Sequence, residues 1–189
     1  KTLLAMKEAQ NLAAKGLRVA YFCYTAPLAA WTRMALERDG SHSAPSLVST
    51  LHAYMASLVD ASPQKPQQPE WDEPSFCEEI LPLYALEEIE RKKLCFDVVI
   101  VDEAQDLVSP SYLDVLDALL DGGFERGRWC MFGDFTRQAI YTGYSPDEST
   151  RLLEDRAGFA QFRLDLNCRN SKPIVGELED VTGESIPLM

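Results

Sequence analysis

Three carboxylates, Asp102, Glu103 and Asp106, fall within five positions directly after the apolar run VVIV. Acids at adjacent positions leave a strand tip in different directions, so one can hold a divalent cation while its neighbour acts on a water molecule. Acids placed there can equally cap the helix that follows, favoured by its dipole. Either way the run before them reads as a buried strand. Burial of each of its side chains contributes about 1.5–3 kcal/mol, enough to offset the mutual repulsion of carboxylates held close together.

The elements that must position these acids alternate along the chain. TLLAMKEAQNLAAKG has helical apolar spacing ended by Gly16, and LRVAYFCY predicts a buried strand. TAPLAAWTRMALERDG predicts a helix with Thr25 as its cap, Pro27 in the first turn and Gly40 past the end. VSTLHAYMASLVD predicts a third, capped by Ser49 or Thr50. Residues 61–75 hold four of the eleven prolines together with glutamines, the composition of an exposed, disordered linker or insertion. An acidic helix is expected over 75–93, broken or bent at Pro82. After the strand at 96–101, SPSYLDVLDALLDGG predicts a helix punctuated by Ser109, Pro110 and Gly122. RWCMFGD predicts a strand, SPDESTRLLEDRAG a helix, FRLDLN a short strand and SKPIVGELEDV a last helix. Strands alternating with helices give the α/β class, a parallel sheet covered on both faces. In such sheets ligands gather at the carboxyl ends of strands, where CYT, DEAQD and GD stand here.

Composition sets the bounds. A chain of 189 residues, 46% hydrophobic, fits one domain with a substantial core. The net charge of −12 argues against tight nonspecific binding to nucleic acid or to an anionic membrane. Residues 1–56 carry six basic side chains against three acidic ones, a net of +3, which leaves −15 for residues 57–189; a polyanion is therefore expected to meet the first third. The five cysteines, Cys23, Cys77, Cys95, Cys130 and Cys168, are odd in number, include no C-x-x-C pair and have only two histidines to help them. That pattern argues against a zinc site and for buried, reduced thiols in a cytoplasmic protein. No apolar stretch approaches the roughly 20 residues of a membrane span, and no signal-peptide layout is present, so no membrane partner is expected. Trp31, Tyr54 and Met55, at helical positions, are expected in the core.

VDEAQD after an apolar strand resembles the Walker B motif of UvrD/Rep-like superfamily 1 DNA helicases, and five further segments agree with that family in order. KTLLA resembles the last two residues of a G-x-x-x-x-G-K-T phosphate loop and the helix behind it. YTAPLAAWTR resembles motif Ia, VSTLHAYM the T-x-H segment after it, FGDFTRQAIY motif III, and LDLNCRNSKPI the N-Y-R-S segment of motif IV. The resemblance implies a RecA-like P-loop NTPase domain over residues 1–189, cut inside its phosphate loop and lacking its first strand, with 61–93 as an insertion and 168–189 as the start of a connection to a second motor domain.

The resemblance also implies roles, with ATP and Mg²⁺ as cofactors and single-stranded DNA as partner. Lys1 would neutralise the β- and γ-phosphates, Thr2 and Asp102 would hold the magnesium, and Glu103 would orient and deprotonate the attacking water. Gln138 would sense the γ-phosphate and Arg169 would act as an arginine finger. Gln105 and Asp106 would brace the site and link it to motif III. Thr25, Thr50 and His52 would lie on the DNA path, with Tyr141 and Tyr144 as base-stacking aromatics. A chain missing its phosphate-loop glycines leaves Lys1 a flexible end and predicts no measurable ATPase. It also predicts that the missing strand's slot within the sheet is empty, filled by a partner chain or bypassed by rearrangement, and an exposed strand edge invites dimerisation.

Two departures keep alternatives open. Motif III carries one residue more between Asp134 and Gln138 than the family pattern, and Cys168 stands where the family commonly has tyrosine. A catalytically silent, helicase-like module for protein binding accommodates both. A metal-dependent nuclease using Asp102, Glu103 and Asp106 is the remaining alternative, without an acid-x-Lys pattern to support it.

Overall fold

The structure, a computed structural model, describes residues 1–38, 44–63, 65–66, 75–135, 144–164, 170–183, 185 and 187. It has two compact units, Lys1–Gly158 and Phe159–Met189. The first is α/β. Helix α1 (Thr2–Ala13) buries Ala5, Met6 and Ala9 along one stripe, and the chain turns at Gly16 with φ 80°. Strand β1 (Val19–Cys23) is buried throughout. Helix α2 (Ala26–Arg38) follows Thr25, whose carbonyl accepts the Ala29 N–H at 3.0 Å.

Strand β2 (Leu47–Thr50) runs straight into helix α3 (Leu51–Asp60). The third helix predicted from sequence is present, but its first residues are a strand. LVST is only four residues long, and its extended form is set by parallel pairing with β1, from Ala20↔Leu47 to Cys23↔Thr50. A π-helical turn (Phe76–Ile80) leads into helix α4 (Leu81–Lys92). The break expected at Pro82 takes this form: proline falls in the first turn of α4, where no N–H is needed, and the residues before it widen to π geometry. Helix α4 lies between α3 and helix α5 (Pro110–Leu119) and buries Leu81, Ala85, Glu88 and Ile89.

Strand β3 (Val98–Asp102) is wholly buried and leads through a 3-10 turn (Ala104–Asp106) to α5, whose cap is Ser109 Oγ, accepting the Tyr112 N–H at 3.3 Å. Gly122, with φ 83°, opens the short helix α6 (Gly123–Arg126), and strand β4 (Arg128–Phe132) follows. Helix α7 (Pro146–Glu154) starts with a capping box formed by Ser145 and Glu148.

The four strands are parallel in the order β2-β1-β3-β4. Alternation along β1 divides the core in two. Val19, Tyr21 and Cys23 join Val98 and Ile100 of β3 and the buried stripes of α1 and α2. Phe22 turns to the other face, with its ring 5.5 Å from that of Tyr54 on α3, which lies 6.3 Å from Phe96. The described strands are contiguous, β1 bonding β3 directly and β3 bonding β4, so among the described residues the slot is not left empty inside the sheet, which leaves the alternative of a bypass. A further strand would have to add outside β2 or β4. Among the described residues β4 pairs with β3 alone, and its side chains alternate between exposed and half-buried.

Two further expectations are corrected. Tyr54 is partly and Met55 fully buried, but Trp31 is 48% exposed. Helix α2 meets the sheet through Ala29, Thr32 and Leu36, which turns position 31 away. Cys23 is buried as expected, but Cys77 and Cys95 are half-buried and Cys130 is exposed on the outer strand β4; all four are free thiols. Among the described residues no helix is long and apolar enough to cross a membrane.

The second unit contains the last helix that the sequence predicts, α8 (Lys172–Thr182), preceded by Ser171 and ended by Gly183 at φ 70°. The strand expected at FRLDLN is not formed in its described part. Residues 162–164 have no regular structure and Phe162 is 89% exposed, whereas residues 165–167 lie outside the described residues.

Candidate functional site

Asp102 is the last residue of β3 and is completely buried. Its Oδ2 accepts the Tyr21 O–H at 2.9 Å, and its Oδ1 accepts the Glu103 backbone N–H at 3.1 Å. Neither oxygen caps a helix, because the cap of α5 is supplied by Ser109. Glu103, half-buried, takes a left-handed backbone with φ 52° and ψ 45°. That conformation costs about 1–2 kcal/mol in a residue with a Cβ, and it breaks the strand at the point where the acids emerge.

Gln105, 3% exposed, joins the acids to the next strand end. Its Nε2 donates to Glu103 Oε2 at 3.0 Å and to Asp106 Oδ2 at 3.1 Å, and its Oε1 accepts the Asp134 N–H at 3.0 Å. The brace that the sequence assigned to Gln105 is therefore a set of hydrogen bonds between the turn after β3 and the residues after β4. Gly133 makes room for it. A Cβ there would lie 2.8 Å from Gln105 Oε1 and 3.1 Å from Gln105 N, closer than side chains pack.

Lys1 lies at the same end of the sheet. It directly precedes α1, and its Nζ is 3.5 Å from Asp134 Oδ2. Thr2 begins α1 and is half-buried. Lys1, Asp102, Glu103 and Asp134, far apart in sequence, thus collect around the carboxyl ends of β3 and β4. Cys23, at the end of β1, has its thiol pushed up to about 12, first by burial and then by the negative charge of Asp102 and Glu103. It stays protonated and unreactive at neutral pH.

Of the residues assigned to a DNA path, Thr50 and His52 have partners within the chain. Thr25 is exposed ahead of α2. Thr50 is buried, and its Oγ1 accepts the Ala53 N–H at 3.1 Å as the cap of α3. His52 packs edge-on against Tyr24 and Tyr112, and its Nε2 lies 2.7 Å from the Tyr112 hydroxyl, which also reaches the Cys77 carbonyl at 3.3 Å. Burial holds the His52 pKa below its ordinary value. Tyr144 is half-buried just ahead of α7. Gln138, Tyr141, Cys168 and Arg169 lie outside the described residues.

Sequence reasoning passed over Tyr21, which it took only as part of a buried strand. The signal was available: a tyrosine in the middle of an apolar run must find a partner for its hydroxyl, and Asp102 is the acid at the tip of the neighbouring strand. Burial, followed by the negative charge of Asp102, raises the Tyr21 pKa far above the ordinary value, so the phenol keeps its proton and serves as donor.

Asp102 and Thr2, the residues the resemblance assigns to magnesium, carry the kind of donor that ion takes. A buried carboxylate and a helix-start hydroxyl are hard oxygen donors. Among the described residues no cluster of three His, Cys, Asp or Glu side chains is arranged to hold a cation. No protein-family model matches the chain, and no curated protein does.

Proposed function

We propose that this chain carries the nucleotide-binding core of a UvrD/Rep-like superfamily 1 motor, a RecA-like ATPase acting on single-stranded DNA. The observation that carries the reading is the link from Glu103, whose N–H bonds Asp102, through Gln105 to Asp134, and from Asp134 to Lys1. Three segments that the resemblance assigns to one site (KT, DEAQD and GD) meet at one end of a parallel sheet, the place where such sheets bind ligands. The strand order is compatible with a RecA-like sheet.

In this reading Asp102 and Thr2 hold Mg²⁺, which when bound with ATP neutralises charge on the transferring phosphoryl group. Lys1 exchanges its ion pair with Asp134 for phosphate oxygens. Glu103, its Oε2 engaged by Gln105, orients a water molecule and takes its proton. Gln105 transmits any movement of Asp134 to the two acids it holds.

The test is Mg²⁺-dependent binding of a fluorescent ATP analogue, and ATP turnover, by the natural polypeptide that carries residues 1–189. Glu103→Gln is expected to keep binding and to lower turnover by about 10²-fold or more; retained turnover removes Glu103 as the base. A polypeptide that binds no nucleotide overturns the ATPase reading. That result favours the silent helicase-like module, which the extra residue of motif III and Cys168 accommodate.

A further inference from the structure

We infer that Tyr21 is a positioning residue for Asp102, the group that sets how this carboxylate is presented to a magnesium ion or its bound water. The inference rests on the ATPase reading and extends it to a residue on a different strand.

Tyr21 pairs in register with Ile100, two residues before Asp102 on the adjacent strand, so both side chains project to the same face of the sheet. Packing does not require the hydroxyl. Tyr21 is completely buried in a cluster of Val19, Cys23, Ile100, Met6 and Leu36, where phenylalanine would fill nearly the same volume. A buried hydroxyl is costly unless bonded, and this one donates its single proton to Asp102 Oδ2. Thr32 on α2 is also completely buried and lies beside the phenol.

The consequence concerns rotation. The terminal torsion of an aspartate is broad, yet Asp102 is held at both oxygens, by the phenol at Oδ2 and by the Glu103 N–H at Oδ1. Each oxygen keeps a lone pair, now in a fixed direction. Groups that orient a metal ligand in this way typically change metal affinity about 10- to 100-fold when removed.

The experiment titrates Mg²⁺ into the natural polypeptide with a fluorescent ATP analogue, comparing the unaltered protein, Tyr21→Phe and Asp102→Asn. Tyr21→Phe is expected to raise the Mg²⁺ concentration for half-maximal binding about 10- to 100-fold, to leave metal-free nucleotide binding unchanged and to recover at high Mg²⁺; a damaged fold would not recover. An unchanged midpoint in Tyr21→Phe, with Mg²⁺ dependence lost in Asp102→Asn, overturns the inference and leaves the ATPase reading standing. Loss of Mg²⁺ dependence in the unaltered protein removes both. Should Tyr21→Phe not fold, NMR of the unaltered protein decides: the Tyr21 ring-carbon signal is expected to move when Mg²⁺ is added to the nucleotide complex, and a signal indifferent to Mg²⁺ overturns the inference.

Discussion

Gln105 and Asp134 tie two strand ends together: the Gln105 side-chain oxygen accepts the Asp134 backbone N–H at 3.0 Å while its amide nitrogen holds Glu103 and Asp106. The pair makes the segment after β4 a mechanical neighbour of the acids after β3. It also depends on a glycine, because only a residue without Cβ at 133 leaves space for the amide.

Gly133→Ala and Gln105→Ala should therefore each destabilise the protein by about 1–3 kcal/mol, the first by crowding and the second by leaving a half-buried N–H without its acceptor. The double variant should lose less than the sum, since both changes break one contact. Urea unfolding of the four proteins checks this; additive losses would show that Gly133 and Gln105 act separately.

Acid should weaken the fold through Glu88. This carboxylate, 2% exposed on α4, accepts two hydrogen bonds from Arg91 and one from Ser62 at 2.7 Å, and pairs with Lys92 at 2.9 Å. Those partners, Arg91 foremost, lower its pKa to about 2 from an ordinary value of 4.5. A lowered carboxylate pKa stabilises the fold fully above the ordinary value, and that contribution drains away as pH falls toward the folded value. Urea midpoints should therefore drop between about pH 4.5 and pH 2. Glu88→Gln should be weaker at neutral pH and flatter in that window.

His52 titrates in a higher window with the same sign. Its folded pKa lies below 6.5 because burial disfavours the imidazolium, so the unfolded chain takes up the proton first and stability declines as pH falls below 6.5. His52→Gln is expected to abolish most of the decline that sets in below pH 6.5. An unaltered slope in that variant would assign the decline to other groups.

The legible part of this chain was the part dictated by burial. Val98 to Val101 form an unbroken apolar run, and so a central strand; Ser109 and Gly122 mark helix ends through local chemistry that any sequence carries on its surface. What escaped was decided by neighbours. β2 is a strand because β1 lies beside it, and its four residues read as well as the start of α3. Trp31 is exposed because α2 rotates to bury Thr32, a choice made by the sheet face. The two acids at the site were visible from their place after a buried run, whereas the partnership of Tyr21 with Asp102 spans 81 positions and exists only once two strands are adjacent.

Among the described residues, Lys93 and Glu103 alone have positive φ without being glycine. Lys93 merely closes α4, but Glu103 stands where the chain leaves its deepest strand, and glycine would suit that geometry better. Replacing Glu103 by glycine should leave a sturdier protein than replacing it by alanine, by about 1 kcal/mol, the reverse of their order in a helix or strand. A lineage shaped by durability alone would drift to glycine at this position. In the proposed motor reading, the weak joint is what stands a carboxylate at the mouth of the sheet.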